Sequence, residues 1–166
     1  MDVPPSSSAP RPLAPATQRL MAPLFPDLDL TGVRLWVPAG GMALMAVRAL
    51  LAPHRAHALT LGRLVVARPD ALAVDTPAGL ALLVHELTHV SQYQALGVAG
   101  FLGRYLGEYL RGRLRGRRHA DAYRGISLER AAFSAVKTAA TVLDPGAAIR
   151  TPGTRPRPST RPVAPS

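Results

Sequence analysis

The sequence predicts a single α+β domain in which a small β-sheet packs on a central helix and further helices complete the fold. Two observations support this class. Short segments rich in β-branched residues alternate with longer segments whose apolar residues recur at helical spacing. The 166 residues are enough for one domain of ordinary size, and a hydrophobic fraction of 48% can supply its core.

Proline-rich segments at both ends set the predicted limits of this domain. Residues 1–21 and 146–166 contain many prolines and little apolar periodicity. Such segments cannot bury enough apolar surface to offset the entropy lost on folding, so we predict that both are disordered. The folded domain is then predicted to span residues 22–145.

Composition narrows the classes of site and partner. The chain has no cysteine, which excludes disulfides and thiolate metal sites and leaves histidine and carboxylate as metal ligands. Its net charge of +10 is nearly all arginine. Because arginines on a polar helix face are usually only solvated, nucleic acid and anionic membrane are not the partners we expect.

The start of the chain lacks the basic and apolar pattern of a signal peptide, and its longest apolar stretch is too short to span a bilayer. We therefore expect a cytoplasmic protein. Export by a route that needs no signal peptide is left open.

The first half of the predicted domain contains two strands and a helix. Residues 32–38 have the β-branched and aromatic content of a short strand that ends at a proline, and residues 42–52 form an apolar helix. Residues 57–69 are interpreted as a second strand, with Gly62 marking a bulge or a close backbone approach.

The next helix has the clearest end signals in the sequence. Thr76 is a good N-cap, Pro77 suits the first helical position, and Gly97 stands where a left-handed C-terminal cap is expected. A further helix over residues 99–115 follows, and a last helix begins at Ser127. The apolar stripe predicted for the helix over 99–115 consists of Leu102, Tyr105, Leu106, Tyr109 and Leu110.

The segment His85-Glu86-Leu87-Thr88-His89 predicts a metal site on the first of these helices. Positions i and i+4 lie on one helix face, so His85 and His89 can bind one zinc ion (Zn²⁺). Glu86 leaves the helix about 100° away, where it can reach a metal-bound water as a general base. Burying these three polar residues on an apolar helix is costly unless something pairs with them, which favours the metal site over two core histidines.

A catalytic zinc site usually has three protein ligands, so a third ligand must come from elsewhere in the fold. Glu108 and Glu129 are the other two glutamates, and His119 and Asp121 are weaker candidates on a predicted loop. Glu108 shares its helix face with arginines, which is typical of a solvated ion pair.

Glu129 is the favoured third ligand because its helix row faces inward. Phe133, Val136 and Leu143 continue that row at helical spacing, with Ala140 between them. A carboxylate in an inward-facing row needs a strong partner, and zinc would be one. The alternative is a first-turn glutamate stabilised by the helix dipole.

Three stretches, "HELTHVSQYQALG", "FLGRYLGEYL" and "AYRGISLERAA", together with "ALTLGRLVV" upstream, carry a family resemblance. Over about residues 57–135 the chain resembles the extracellular contractile injection system core domain, a mostly bacterial group of zincin-like proteins of gluzincin type. The resemblance implies a metallopeptidase with His85, His89 and Glu129 as zinc ligands and Glu86 as general base. It also implies an association with an injection system. The chain has Ile126-Ser127 where the family's pattern leads us to expect Asn-Pro.

The function that follows from these residues is zinc-dependent hydrolysis of a peptide or protein substrate. Tyr123 is a candidate donor to the oxyanion, although a tyrosine beside a core helix is more often a packing residue. Zincins generally bind the peptide along a sheet strand beside the metal helix, and residues 59–66 are the predicted strand here. The alternative is a zinc-bearing interaction module without catalysis.

Overall fold

A four-stranded sheet packed against helices makes up the part of the chain that the computed structural model describes, residues 9–38, 57–69, 71–72 and 74–143. This confirms the predicted α+β class. The strands are β1 (Arg11–Pro12), β2 (Arg34–Trp36), β3 (Ala58–Leu61) and β4 (Leu64–Ala67). The helices are α1 (Pro15–Met21), α2 (Pro77–Leu114), α3 (His119–Arg124) and α4 (Ser127–Leu143), with a 3-10 turn at Leu30–Gly32.

The sheet has the strand order β1-β2-β4-β3, so β3 forms one edge. The central pair, β2 and β4, is parallel, and the outer pairs are antiparallel. The prediction of one strand over residues 57–69 is wrong, because the chain reverses at Gly62 and Arg63 and makes a β3–β4 hairpin. A two-residue hairpin turn needs a positive φ, which Gly62 supplies with a φ of 60°. Gly62, which was predicted to mark a bulge within one strand, instead lies in the turn between two strands.

Ordered structure begins earlier than the predicted domain start at residue 22. Strand β1 pairs with β2, and α1 follows it with Pro15 in its first turn. Leu13 and Met21 are 3% and 0% exposed, so these residues belong to the core. Burial of these apolar side chains stabilises the segment, although its proline content led to the prediction of disorder. The predicted helix over 42–52 and the predicted tail over 146–166 lie outside the described residues.

Helix α2 is the central element and contains the predicted end signals. The Thr76 hydroxyl accepts a hydrogen bond from the Gly79 amide at 3.1 Å, which confirms the N-cap. Gly97 has a φ of 68° and a ψ of 171°, so the helical backbone is broken there, and the helix resumes at once on the other side. None of the helices in the described part of the chain has the length and apolar content needed to cross a membrane.

Two apolar clusters flank the region where α2 meets α4. The larger one joins the sheet, α1 and the first half of α2, and includes Leu83 and Leu87. The smaller one is an aromatic cluster around Tyr93 and Phe101, whose stacked rings lie 3.8 Å apart across the break at Gly97.

The predicted apolar stripe over the second half of α2 divides into two faces. Tyr105 and Tyr109 pack against the aromatic cluster. Leu102, Leu106 and Leu110 are 41%, 53% and 55% exposed. Neighbouring residues on a helix lie about 100° apart, so Tyr105 and Leu106 cannot both point to the core.

Candidate metal centre

Two helices bring His85, His89 and Glu129 together at one point. The histidines lie one turn apart on α2, and Glu129 lies in the first turn of α4. Their side chains are 12%, 8% and 3% exposed. These three residues form a group that could hold a metal ion.

The distances within this group suit a small cation. The Nε2 atoms of the two histidines are 3.2 Å apart. Glu129 faces both, with Oε2 lying 3.3 Å from His85 Nε2 and Oε1 lying 3.4 Å from His89 Nε2. Ligand atoms in a tetrahedron around zinc at about 2.0–2.1 Å are separated by about 3.3–3.4 Å, the edge of that tetrahedron. The spacing therefore fits a tetrahedral ion with the carboxylate turned toward it.

One oxygen of the carboxylate supports the same interpretation. Among the described residues, no donor makes a hydrogen bond of suitable geometry to the buried Oε2 of Glu129. A buried carboxylate oxygen without a donor is costly, whereas a cation between it and the imidazoles would satisfy it. The donor set, two imidazoles and one carboxylate, is typical of zinc.

Two phenols surround the Glu129 carboxylate. Tyr105 donates a hydrogen bond to Oε1 at 3.1 Å, and the Tyr123 phenol also interacts with this carboxylate. Burial opposes ionisation of Glu129, but its interactions with His85 and His89 outweigh burial and hold its pKa below the usual range. Burial and the nearby carboxylate raise the pKa of both tyrosines, so both phenols keep their protons at neutral pH. Glu129 is therefore ionised, with Tyr105 donating to its Oε1 while its Oε2 faces His85.

Glu86 is held by the sheet. Its residue is 4% exposed, and Thr60 of the edge strand β3 donates its hydroxyl to Glu86 Oε2 at 2.6 Å. Burial raises the pKa of Glu86, although the hydrogen bond from Thr60 opposes the shift. One oxygen of this carboxylate is thus fixed, next to the two histidines.

Glu108 does not lie with the histidines. It binds Arg104 at 3.2 Å, as its position among arginines predicted, but it also accepts hydrogen bonds from the backbone amide and the hydroxyl of Ser127. The interpretation as a solvated ion pair is therefore incomplete, because Glu108 caps the start of α4. A contact between residues nineteen positions apart in sequence is invisible to a pattern that compares neighbours on one helix.

The weaker ligand candidates His119 and Asp121 lie in the short helix α3, and not on a loop as predicted. His119 Nδ1 is 2.8 Å from the Tyr109 hydroxyl. Neither residue belongs to the group around Glu129.

The inward row predicted from Glu129 holds for Glu129 itself, which is 2% exposed, and for Val136 and Leu143, which pack partly buried against the core. It does not hold for Phe133, which is 46% exposed. The Phe133 ring packs on His85 with the ring centroids 4.8 Å apart. Ala140 is exposed as well. The buried row instead runs through Ala132 and Ala139, because small residues let α4 approach α2 closely.

Sequence reasoning missed Thr60 and Tyr105 as residues of the centre. Thr60 stands in a strand where alternation predicts a buried side chain, but nothing in the sequence pairs it with Glu86. Tyr105 was assigned to a packing stripe, and its hydroxyl contact with Glu129 depends on how α2 and α4 meet. An apolar row containing tyrosines beside a buried carboxylate is the signal that could have indicated it.

Comparison with known proteins identifies a family whose pattern covers part of this centre. The family described as eCIS core domain matches residues 12–97, which are 86 of the 166 residues. The matched segment contains His85, Glu86 and His89 and ends before Glu129. No curated protein and no solved structure matches the chain.

Proposed function

Because this chain belongs to the eCIS core domain family, we propose that it acts with a contractile injection system as a zinc metallopeptidase. The observation that carries the enzymatic part is the buried convergence of His85, His89 and Glu129 from two helices. The adjacent carboxylate of Glu86 supplies the base that a hydrolytic centre needs. The family supports the association with injection-system components, and the geometry supports the chemistry.

In this proposal the three buried side chains hold the metal and Glu86 handles the proton. Zinc, when bound, lowers the pKa of a water toward about 7 and polarises a carbonyl. Glu86 accepts a proton from the attacking water and later delivers it to the leaving amine. Thr60 leaves one Glu86 oxygen available for this task and fixes the other.

In the same proposal, the two phenols and the edge strand of the sheet contact the substrate. Tyr123 lies at the Glu129 carboxylate and keeps its proton, so it is a candidate hydrogen-bond donor to the oxyanion. Tyr105 shares these properties. The strand predicted to bind the peptide, residues 59–66, is corrected to β3, because β4 is an interior strand and β3 forms the sheet edge. An extended peptide could add to β3 beside the metal helix.

The low solvent exposure of the three candidate ligands favours one alternative, a structural zinc site in a non-catalytic interaction module. Side chains that are 3–12% exposed leave little surface for a substrate. A structural site would use four protein ligands and keep no water, whereas a catalytic site has three and an open position. The group in the described residues supplies three.

The Glu86→Gln variant separates the two functions. The substitution keeps the size of the side chain but removes the base. For a peptidase, metal content and melting temperature should stay the same while turnover falls by about 100-fold to 10,000-fold. Wild type and variant are each incubated with a diverse peptide library and with their own chain, and new termini are detected by mass spectrometry.

Three outcomes are informative. Cleavage by wild type and not by Glu86→Gln supports the peptidase. Equal cleavage by both would show that a contaminant is responsible. If neither cleaves, spectroscopy of the cobalt-substituted protein decides, since a shell of four protein ligands would exclude the proposed mechanism and support the interaction module.

A further inference from the structure

Gln92 connects the two helices that carry the ligands. It lies on α2 three residues after His89, and its Oε1 is 2.8 Å from His89 Nδ1. Its Nε2 donates a hydrogen bond to the backbone carbonyl of Leu128 at 3.0 Å. Leu128 directly precedes Glu129, so one amide side chain contacts one ligand's ring and the backbone beside another ligand.

These two contacts determine the proton on His89. A backbone carbonyl can only accept, so the Gln92 amide must turn its NH₂ group toward Leu128 and its oxygen toward His89. An amide oxygen also only accepts, and therefore Nδ1 of His89 must carry the hydrogen. In the neutral ring this leaves a lone pair on Nε2, the atom that faces His85 and Glu129. That is the form in which an imidazole binds a metal through Nε2.

We infer that Gln92 is a positioning residue for the metal centre, which orients His89, fixes its tautomer and holds the start of α4 in register with α2. The inference rests on the proposed function, because it concerns the same centre. Glutamine performs both tasks because it has an acceptor and a donor at its end. Leucine provides neither, and glutamate provides only acceptors.

The chain offers a matched control two residues further along α2. Gln94 donates its amide to the backbone carbonyl of Asp27 at 2.9 Å, the same kind of contact that Gln92 makes to Leu128. Gln94 is exposed and belongs to neither the metal group nor the Glu86 site. A loss seen in Gln92→Leu and not in Gln94→Leu therefore reports the contact with the ligands and not the loss of one side-chain hydrogen bond.

The test measures zinc affinity by competition with a chromogenic chelator, and the melting temperature of the metal-free protein, in wild type and three variants. Gln92→Leu should bind zinc about 10-fold to 100-fold more weakly, as is typical when a partner of a ligand histidine is removed. Gln94→Leu should bind as tightly as wild type. Gln92→Glu keeps the acceptor for His89 and should lie between wild type and Gln92→Leu, which provides a second variant if Gln92→Leu does not fold.

Three results would overturn the inference, and one of them would also overturn the proposed function. If wild type binds zinc tightly and Gln92→Leu binds equally well, Gln92 has no positioning role and the proposed function stands. If the folded wild type has no affinity for zinc, both fall. Equal losses of affinity in Gln92→Leu and Gln94→Leu would also contradict it, since the effect would then be general destabilisation.

Discussion

At the scale of residues, a single hydrogen bond from Thr60 offsets part of the free-energy cost of burying the Glu86 carboxylate. The Glu86 carboxylate is buried next to the two histidines, and the Thr60 hydroxyl is its hydrogen-bond donor at 2.6 Å. The same hydroxyl lies 3.2 Å from the Glu86 backbone carbonyl. Thr60 thus ties the sheet edge to the turn of α2 that carries the proposed base.

Replacing Thr60 with valine should show how much this tie contributes. Thr60→Val keeps the shape but leaves a buried carboxylate oxygen without its donor, so the free energy of unfolding should fall by about 1–3 kcal/mol. Turnover should fall as well, because Glu86 is no longer held, while zinc content stays at the wild-type level. Thr60→Ser, which restores the hydroxyl, is the control. Chemical denaturation and the peptide assay measure the two effects, and a fully active Thr60→Val would contradict the assigned role.

At the scale of elements, the start of α4 is fixed from outside the helix. The Ser127 backbone amide is one of the first amides of α4, which have no partner within the helix, and Glu108 of α2 accepts from it. Burial opposes the charge on Glu108, but the bonds from Ser127 and Arg104 outweigh it and lower its pKa. The positive end of the α4 helix dipole also stabilises a carboxylate at this position.

This arrangement predicts unequal effects for the two partners of the surface ion pair. Glu108→Ala removes the cap and should lower the free energy of unfolding by about 0.5–2 kcal/mol, the range for losing an N-cap. Arg104→Ala leaves the Ser127 amide capped and should cost less than about 1 kcal/mol, as for an exposed pair. Urea denaturation of the metal-free protein compares the two. Equal, near-zero effects would show that Glu108 is only a surface ion-pair partner.

Elements were predictable where their signals are local. Thr76 marks the start of α2 by the capping chemistry of its hydroxyl, and Gly97 marks the break by its backbone freedom. Ser127 marks the start of α4. Gly62 was misinterpreted because a positive φ serves a bulge and a hairpin turn equally well. Glu108 was only partly understood because its main partner lies on another helix.

At the scale of the whole molecule, the centre is assembled from parts that are distant in sequence. The sheet edge supplies Thr60, the first half of α2 supplies the histidines and Glu86, and its second half supplies Tyr105. Helix α4 supplies Glu129. The i, i+4 spacing alone predicted the histidine pair, whereas the choice of Glu129 over Glu108 depended on which face of α4 is buried. The contact of Tyr105 with Glu129 depends on how α2 and α4 pack, which the spacing along one helix does not determine.

Because the ligands come from two helices, a bound metal would link α2 to α4. The proposed function therefore depends most on whether the buried group of His85, His89 and Glu129 takes up zinc. Elemental analysis of the purified protein, after removal of any affinity tag, measures this directly.

We expect about one zinc per chain in wild type, since two imidazoles and a carboxylate form a three-ligand site. His85→Ala, His89→Ala and Glu129→Ala should each weaken binding by orders of magnitude, and Glu108→Ala should retain the metal. A folded wild-type protein that contains no zinc and takes up none when zinc is supplied would contradict the account.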